Sequence, residues 1–211
     1  MLEELDKLIN FIQTEYVQLT IKWEQSDYYT RINLKNNQVC DLLENKLILD
    51  TIVNYREFIN QNNIQLLMDM KKFNSENAKV NSRTKAKNSI EYKIENYIKN
   101  HENGKVPISK CFNDLFGIRI ICKEELTFNE ILKLVNTKYK NLKCIYSLRN
   151  EYKTIRNEYK AIHIYFKKDN YAFQWELQVW NKIDEKNNII SHEKYKQDYV
   201  RWENENKGGK K

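Results

Sequence analysis

Phe173–Val179 reads FQWELQV, and this stretch indicates most clearly what kind of fold the chain adopts. Large apolar residues occupy its odd-numbered positions and polar residues its even-numbered ones. A period of two places successive side chains on opposite faces of a β-strand. The stretch therefore predicts a strand with one face in a hydrophobic core, and it places Glu176 and Gln178 together on the other face.

Three earlier segments also predict strands. Gly117–Cys122 (GIRIIC) is short and mostly apolar, as in a buried strand, and Leu142–Tyr146 and Ala161–Phe166 follow it. Helical spacing predicts helices around them, at Ser89–Asn100, Phe128–Tyr139 and Ile190–Trp202. This order predicts an α/β (α+β) fold with a mixed, largely antiparallel β-sheet flanked by helices.

The residues before this region predict an N-terminal helical extension. Apolar residues from Leu2 to Trp23 fall on one helical face, and a second such pattern runs from Val39 to Ile59. Nothing there is catalytic by type or spacing, so we expect a scaffold or a partner surface. The predicted organisation is a helical extension at 1–78, a domain built on the predicted sheet at 79–203 and a polar tail at 204–211.

The composition argues against several classes of protein. With 41% apolar residues, the 211-residue chain can bury a core without disulfides, and its four Gly and one Pro argue against sandwiches, propellers and Gly-rich dinucleotide folds. Charges interrupt every apolar stretch and no secretory signal opens the chain, so we expect a soluble, cytoplasmic protein. The cysteines show no zinc spacing, and we expect reduced, structural thiols at Cys40, Cys111, Cys122 and Cys144.

The net charge of +7 favours anionic partners, either nucleotides or nucleic acid, although excess charge also serves solubility. Lys79–Lys93 concentrates basic residues before and within a predicted helix. Such a segment suits a polyphosphate, or it is simply a solvated basic loop. Tyr152–His163 interleaves aromatic and basic residues, a pattern that suits a stacked nucleobase with phosphates beside it.

Two carboxylates are candidates for metal binding. Asp114 directly precedes the apolar strand, where it is either a metal ligand or an ordinary turn residue. Glu176 lies on the polar face of a hydrophobic strand, where it is either solvent-facing or a catalytic or metal-binding group. Arg119 is expected to point to the face opposite its apolar neighbours.

In this order, the segments resemble the synthetase domain of RelA/SpoT homologues, the ATP-dependent pyrophosphokinases. The family's R-x-K-x-x-x-S-I is present at 83–90, D-x-x-G-x-R at 114–119 and E-x-Q at 176–178. The acceptor loop N-G-Y-K-S-I-H appears at 157–163, with Glu158 and Ala161 in place of the glycine and the serine. The resemblance covers about residues 79–200 and implies a sheet of nucleotidyltransferase type.

The resemblance also implies a role for each matching residue. ATP would be bound by Arg83 and Arg119 around the adenine and by Lys85, Ser89 and Lys93 at the phosphates. Asp114 and Glu176 would coordinate Mg²⁺, and Glu176 would also take the proton from the attacking 3′-hydroxyl. Tyr159 would stack on the acceptor base, and the acceptor would be oriented by Lys153, His163 and Gln178.

The acceptor stays open at this point. GDP or GTP would make the protein an alarmone synthetase, whereas the 3′-CCA end of tRNA would make it a translation-blocking toxin paired with an antitoxin. A tRNA would also need distant cations, for which Lys138, Lys140, Lys143 and Arg149 are candidates. The family's I-R-T after E-x-Q is here Val179–Asn181 (VWN), which loses an arginine. The alternative is an inactive relative that binds nucleic acid or a partner. In every case we expect a monomer or a small oligomer.

Overall fold

The computed structural model describes residues 1–139, 142–149, 159–191 and 193, with the backbone alone for 143–149. The helices are α1 (Leu2–Glu24), α2 (Lys46–Asn62), α3 (Ile64–Met70), α4 (Lys87–Asn100), α5 (Ile108–Cys111), α6 (Phe128–Lys138) and α7 (185–191). The strands are β1 (Ala78–Thr84), β2 (Phe116–Cys122), β3 (Lys143–Arg149), β4 (Tyr159–Phe166) and β5 (Trp175–Asn181).

The strands form one five-stranded sheet in the order β1-β2-β5-β4-β3. Only β2 and β5 are parallel, and the other neighbouring pairs of this sheet are antiparallel. This confirms the predicted mixed, largely antiparallel sheet. Since β5 inserts between β2 and β4, two segments that lie far apart in the sequence become neighbours at the centre of the sheet.

The apolar face of the sheet packs on the N-terminal helices. Leu177 of β5 and Ile118 of β2 share one buried cluster with Leu8 of α1 and Ile52 of α2. Polar contacts fix the same layer, because Trp175 Nε1 donates a 2.9 Å hydrogen bond to the Tyr55 hydroxyl of α2. The helical extension therefore contributes directly to the core beneath the sheet.

Strand β1 was not predicted. Its side chains alternate, with Ala78 and Val80 buried and Lys79, Asn81 and Arg83 exposed. The inward residues are small, so the period-two signal is weak beside the run of charges, and pairing with β2 decides the conformation. The first part of Lys79–Lys93 is therefore an edge strand of the described sheet rather than a solvated loop, and only Lys85 and Ala86 separate it from α4.

Several predicted boundaries also shift. Helix α4 begins at Lys87, so Ser89 lies within its first turn, and α7 begins at residue 185 rather than 190. Strand β5 begins at Trp175 and ends at Asn181. Cys40, Cys111 and Cys122 are free thiols. The described residues contain no helix that combines the length and the apolar character needed to cross a membrane. The division at residue 78 stays a prediction.

Candidate active site

The polar face of the sheet carries an open cleft of about 180 Å³. Strand register explains its make-up, because Gly117 lies opposite Glu176, and Arg119 opposite Gln178, in the parallel pair β2–β5. A side chain at Gly117 would point into open space, so the glycine leaves room next to the Glu176 carboxylate. The lining residues are Asn81, Ser82, Arg83, Asp114, Gly117, Ile118, Arg119, Glu176 and Gln178.

Asp114 is held between two lysines. Its Oδ2 accepts a 2.6 Å hydrogen bond from Lys85 Nζ, and its Oδ1 accepts a 2.9 Å hydrogen bond from Lys93 Nζ of α4. The three side chains are only 10–18% exposed. Lys85 is fixed in turn, because its backbone N–H bonds to the Leu115 carbonyl and its own carbonyl accepts from Arg56 Nε of α2.

Charge in this cluster is strongly coupled. Burial by itself would raise the pKa of the Asp114 carboxyl, but the ammonium groups of Lys93 and Lys85 outweigh it and hold that pKa well below its ordinary value. Asp114 is therefore an anion at neutral pH. The cluster brings one carboxylate and two cations together at the edge of the cleft, which suits a site for phosphates and a divalent cation.

Glu176 lies at the centre of a hydrogen-bond network. Its Oε1 accepts bonds from His163 Nδ1 (2.7 Å) and the Tyr165 hydroxyl (2.9 Å), and its Oε2 accepts from Gln178 Nε2 (2.7 Å). Burial would raise the pKa of Glu176, yet the hydrogen bond and charge of His163 lead the effects that bring it below its ordinary value. The carboxylate is thus ionised and pre-oriented, as a proton acceptor has to be.

His163 connects Glu176 to Tyr159. The tyrosine hydroxyl lies 3.3 Å from His163 Nε2, on the ring side opposite the nitrogen that faces Glu176. With Glu176 ionised, Nδ1–H is the donor to it, which leaves Nε2 facing the Tyr159 hydroxyl. The Tyr159 ring is only 7% exposed and meets the Trp180 ring edge-on, with the ring centroids 6.1 Å apart.

Arg119 is fixed by two neighbours on β5. Its Nε and Nη2 both donate to Gln178 Oε1, over 3.2 and 3.0 Å, and its guanidinium carbon lies 3.5 Å from the centroid of the Trp180 ring. Burial lowers the pKa of Arg119 to about 10, so the side chain stays cationic at neutral pH. Because Gln178 also donates to Glu176, its amide links the Arg119 side of the cleft to the carboxylate.

The structure thus brings most of the predicted site residues onto one face. Arg83 is exposed at the cleft and Ser89 is half-buried in the first turn of α4. Lys153, predicted to orient the acceptor, lies outside the described residues, as does Lys140 among the candidate tRNA contacts. Lys138, another of those candidates, is ion-paired with Asp6 of α1.

Three residues of the site were missed from the sequence. Tyr165 follows His163 by two positions on β4, so strand alternation would have placed it beside Glu176. Arg56 supports Lys85 from a distant helix. Asn188 of α7 is completely buried and bonds to both the N–H and the carbonyl of Lys160, each over 2.8 Å, next to Tyr159. No local sequence signal marks these last two.

Asp114 and Glu176 are the candidate ligands for a magnesium ion. Among the described residues, no three or more His, Cys, Asp and Glu side chains form a ready-made metal cluster. Mg²⁺ does not require one, because it is commonly held by one or two carboxylates together with substrate phosphates and water. Both carboxylates line the same cleft and are ionised, so they supply the hard anionic oxygens that this metal prefers.

Comparisons with solved structures show only remote similarity. The chain is 17% identical to small alarmone synthetase 1 from Bacillus subtilis, covering 74% of this chain and 87% of that one, with a TM-score of 0.39. For small alarmone synthetase 2 from Bacillus subtilis the identity is also 17%, the coverage 71% and 80%, and the TM-score 0.39.

The sequence comparison is more informative. No curated protein sequence matches the chain. The model of the family described as the region found in RelA / SpoT proteins matches residues 82–199, which is more than half of the chain. That range contains every predicted ATP-site and acceptor residue. The chain therefore belongs to the RelA/SpoT family and contains its synthetase domain, a pyrophosphokinase.

Proposed function

We propose that the protein transfers the β,γ-diphosphate of ATP to a ribose 3′-hydroxyl. The observation that supports this most strongly is the pairing of β2 with β5. Glu176, an ionised and hydrogen-bonded carboxylate, thereby lies in the same cleft as Asp114, which Lys85 and Lys93 contact. A proton acceptor and a phosphate-binding cluster in one cleft are what diphosphate transfer to a hydroxyl requires.

Each group has a part in this proposal. Lys85 and Lys93 provide positive charge beside Asp114, where the phosphates of the donor would lie. Arg83 and Arg119 add cationic side chains on the adjoining strands for the nucleoside end of ATP. These cations would hold two polyanionic substrates together and offset the charge that develops on the transferred group.

Glu176 takes the proton of the attacking hydroxyl. Its pKa lies below the ordinary value, so it is unprotonated at neutral pH and ready to accept. Donors from His163, Tyr165 and Gln178 fix the plane of the carboxylate, which limits the directions from which the hydroxyl can approach. Asp114 and Glu176 would hold Mg²⁺, which when bound would neutralise charge on the donor phosphates.

On the acceptor side, we propose that Tyr159 stacks on the acceptor base and that Lys153, His163 and Gln178 orient the acceptor. GDP, GTP and the terminal adenosine of tRNA all present a ribose 3′-hydroxyl, so this chemistry accommodates either acceptor class. The net charge of +7 favours the tRNA acceptor, with an antitoxin as partner, because cations outside the pocket can contact a phosphate backbone. Glu158 departs from the glycine of the family's acceptor loop, but its negative charge gives no preference for a polyanionic acceptor.

The test is a transfer assay with γ-labelled ATP and Mg²⁺. Separate reactions contain GDP, GTP, tRNA, and tRNA whose 3′-terminal ribose has been oxidised with periodate. Label on a guanine nucleotide identifies an alarmone synthetase, and label on intact but not oxidised tRNA identifies a tRNA-modifying enzyme. Absence of transfer in all reactions, with protein shown to be folded, would reject the proposed function and leave the inactive binding module.

A further inference from the structure

Trp180 occupies an unusual place for so large an apolar side chain. It lies on β5 two residues after Gln178, and therefore on the face that carries the cleft rather than on the face packed against the helices. It is 0% exposed and clusters with Ile121, Tyr159 and Ala161, apart from the main core. A small separate core thus lies directly beside the polar residues of the site.

The Arg119 side chain lies directly over the Trp180 ring. The guanidinium carbon lies 3.5 Å from the centroid of the ring, well within the range of a cation–π interaction. Gln178 Oε1 holds one edge of the same guanidinium through two donors. The indole and the amide together restrict both the tilt of the guanidinium and its rotation.

Arg119 also lines the cleft, so its side chain borders both the indole and the space where a nucleotide would bind. A flat, delocalised cation stacks on an aromatic ring through either of its faces, unlike the ammonium group of a lysine. An aromatic base that enters the cleft over Arg119 would complete a three-layer stack of indole, guanidinium and base.

We propose that Trp180 is a positioning residue that holds Arg119 flat as a stacking platform for the base of the nucleotide donor. The proposal rests on the proposed function, since it assumes that a nucleoside triphosphate binds this cleft. Trp180 stands where the family's I-R-T has an arginine, and the proposal gives it a role beside the base of the donor. Stacking gives little selectivity among bases, because every base has a π-face.

The test compares two probes, a nonhydrolysable ATP analogue and inorganic tripolyphosphate, by calorimetric titration. Trp180→Leu should weaken binding of the analogue about tenfold and leave tripolyphosphate within about twofold. Trp180→Phe keeps an aromatic ring under Arg119 and should bind the ATP analogue nearly as tightly as the wild type. Equal binding of the analogue by Trp180→Leu and the wild type, or equal loss for both probes, would overturn the proposal.

Trp175→Leu is the matched control. Trp175 lies on the same strand, is also 0% exposed, and faces the opposite side of the sheet. It should lower the thermal stability without separating the two probes. If Trp180→Leu does not fold, Arg119→Lys is the second test, because lysine keeps the positive charge but lacks the planar guanidinium. Arg119→Lys should show the same selective loss of analogue binding. Adding Trp180→Phe to Arg119→Lys should not increase that loss.

The two proposals fail differently. If the wild type binds neither probe, the proposed function fails. If the wild type binds both probes with equal affinity, the cleft has no platform for a base, and the inference about Trp180 fails while triphosphate binding stands.

Discussion

Lys93 of helix α4 and Asp114, which precedes β2, form a 2.9 Å ion pair in which neither side chain is more than 18% exposed. The pair joins a helix to the central sheet at the point where the cleft opens. Lys85 completes it from the end of β1. The same contact therefore stabilises the fold and places the charges of the site.

Asp114→Asn should destabilise the protein by about 3–5 kcal/mol, because two nearly buried ammonium groups lose their counter-charge. Urea denaturation at pH 7 measures this. The double variant Lys93→Met/Asp114→Asn removes one of the two stranded charges and should recover part of the loss. An Asp114→Asn variant as stable as the wild type would show that the pair is not formed.

Acid pH should act through the same carboxyl. Its pKa is lower in the folded than in the unfolded chain, so the unfolded chain binds the proton first as the pH falls. Proton binding therefore lowers the free energy of unfolding. The stabilisation is complete above the ordinary pKa of 3.8 and is lost progressively as the pH falls below it. Urea midpoints measured from pH 7 to pH 2.5 should fall more steeply for the wild type than for Asp114→Asn.

Glu176→Gln should lower the rate of transfer roughly 100-fold or more, because the proton acceptor is lost. The change also alters the group that Gln178 contacts at position 176, while the Gln178 amide donates to that position and accepts from Arg119. Binding of the ATP analogue should change far less than the rate. A variant with the wild-type rate would remove Glu176 from the chemistry.

Arg83→Ala should abolish most activity and leave the melting temperature unchanged, since the side chain is exposed and lines the cleft. Lys79→Ala is the matched control, because Lys79 is exposed on the same strand, four residues away and outside the lining of the cleft. Loss of stability by Arg83→Ala on the scale of a buried Leu→Ala change would show a structural role instead.

Tyr159 needs a conservative variant. Tyr159→Ala removes any stacking on the acceptor base, worth roughly 1–3 kcal/mol, but it also empties a space beside Trp180. Tyr159→Phe keeps the ring and loses only the hydroxyl contact with His163. If stacking is the role, Tyr159→Phe keeps most activity with either acceptor while Tyr159→Ala loses it. Equal losses would assign the role to the hydroxyl.

Ionic strength should separate the two acceptor classes. A tRNA that contacts six or more phosphates would lose affinity by roughly 10³-fold or more between 50 and 200 mM salt. A free guanine nucleotide meets only the pocket, so its KM should rise far less. The KM of each acceptor at four salt concentrations gives the comparison. A flat salt profile for tRNA would contradict an extended contact with its backbone.

The strands with strong alternation were predictable from the sequence, and so was the face that each side chain takes. Glu176 and Gln178 share a face because strand geometry leaves no other arrangement. Strand β1 escaped prediction because its buried residues are small and its charged residues suggest a loop, and only pairing with β2 gives it a place.

The partners of the site residues were harder to predict. Asp114 and Glu176 were recognised as carboxylates of interest, but their contacts depend on which strands are neighbours. Nothing local in the sequence states that β5 enters the sheet beside β2, and thus that Arg119 meets Gln178 and Trp180. Arg56 and Asn188 act through backbone groups of distant residues, where side-chain chemistry gives no hint.

The insertion of β5 between β2 and β4 also has a consequence during synthesis. A nascent chain that has just completed β4 has an unfilled gap at the centre of its sheet, and it lacks both Glu176 and Gln178. Such a chain has one phosphate-side cluster and no proton acceptor, so we expect translation intermediates to be inert. Their unpaired strand edges can instead pair with other chains. Rapid synthesis and insertion of β5 is therefore important for solubility as well as for activity.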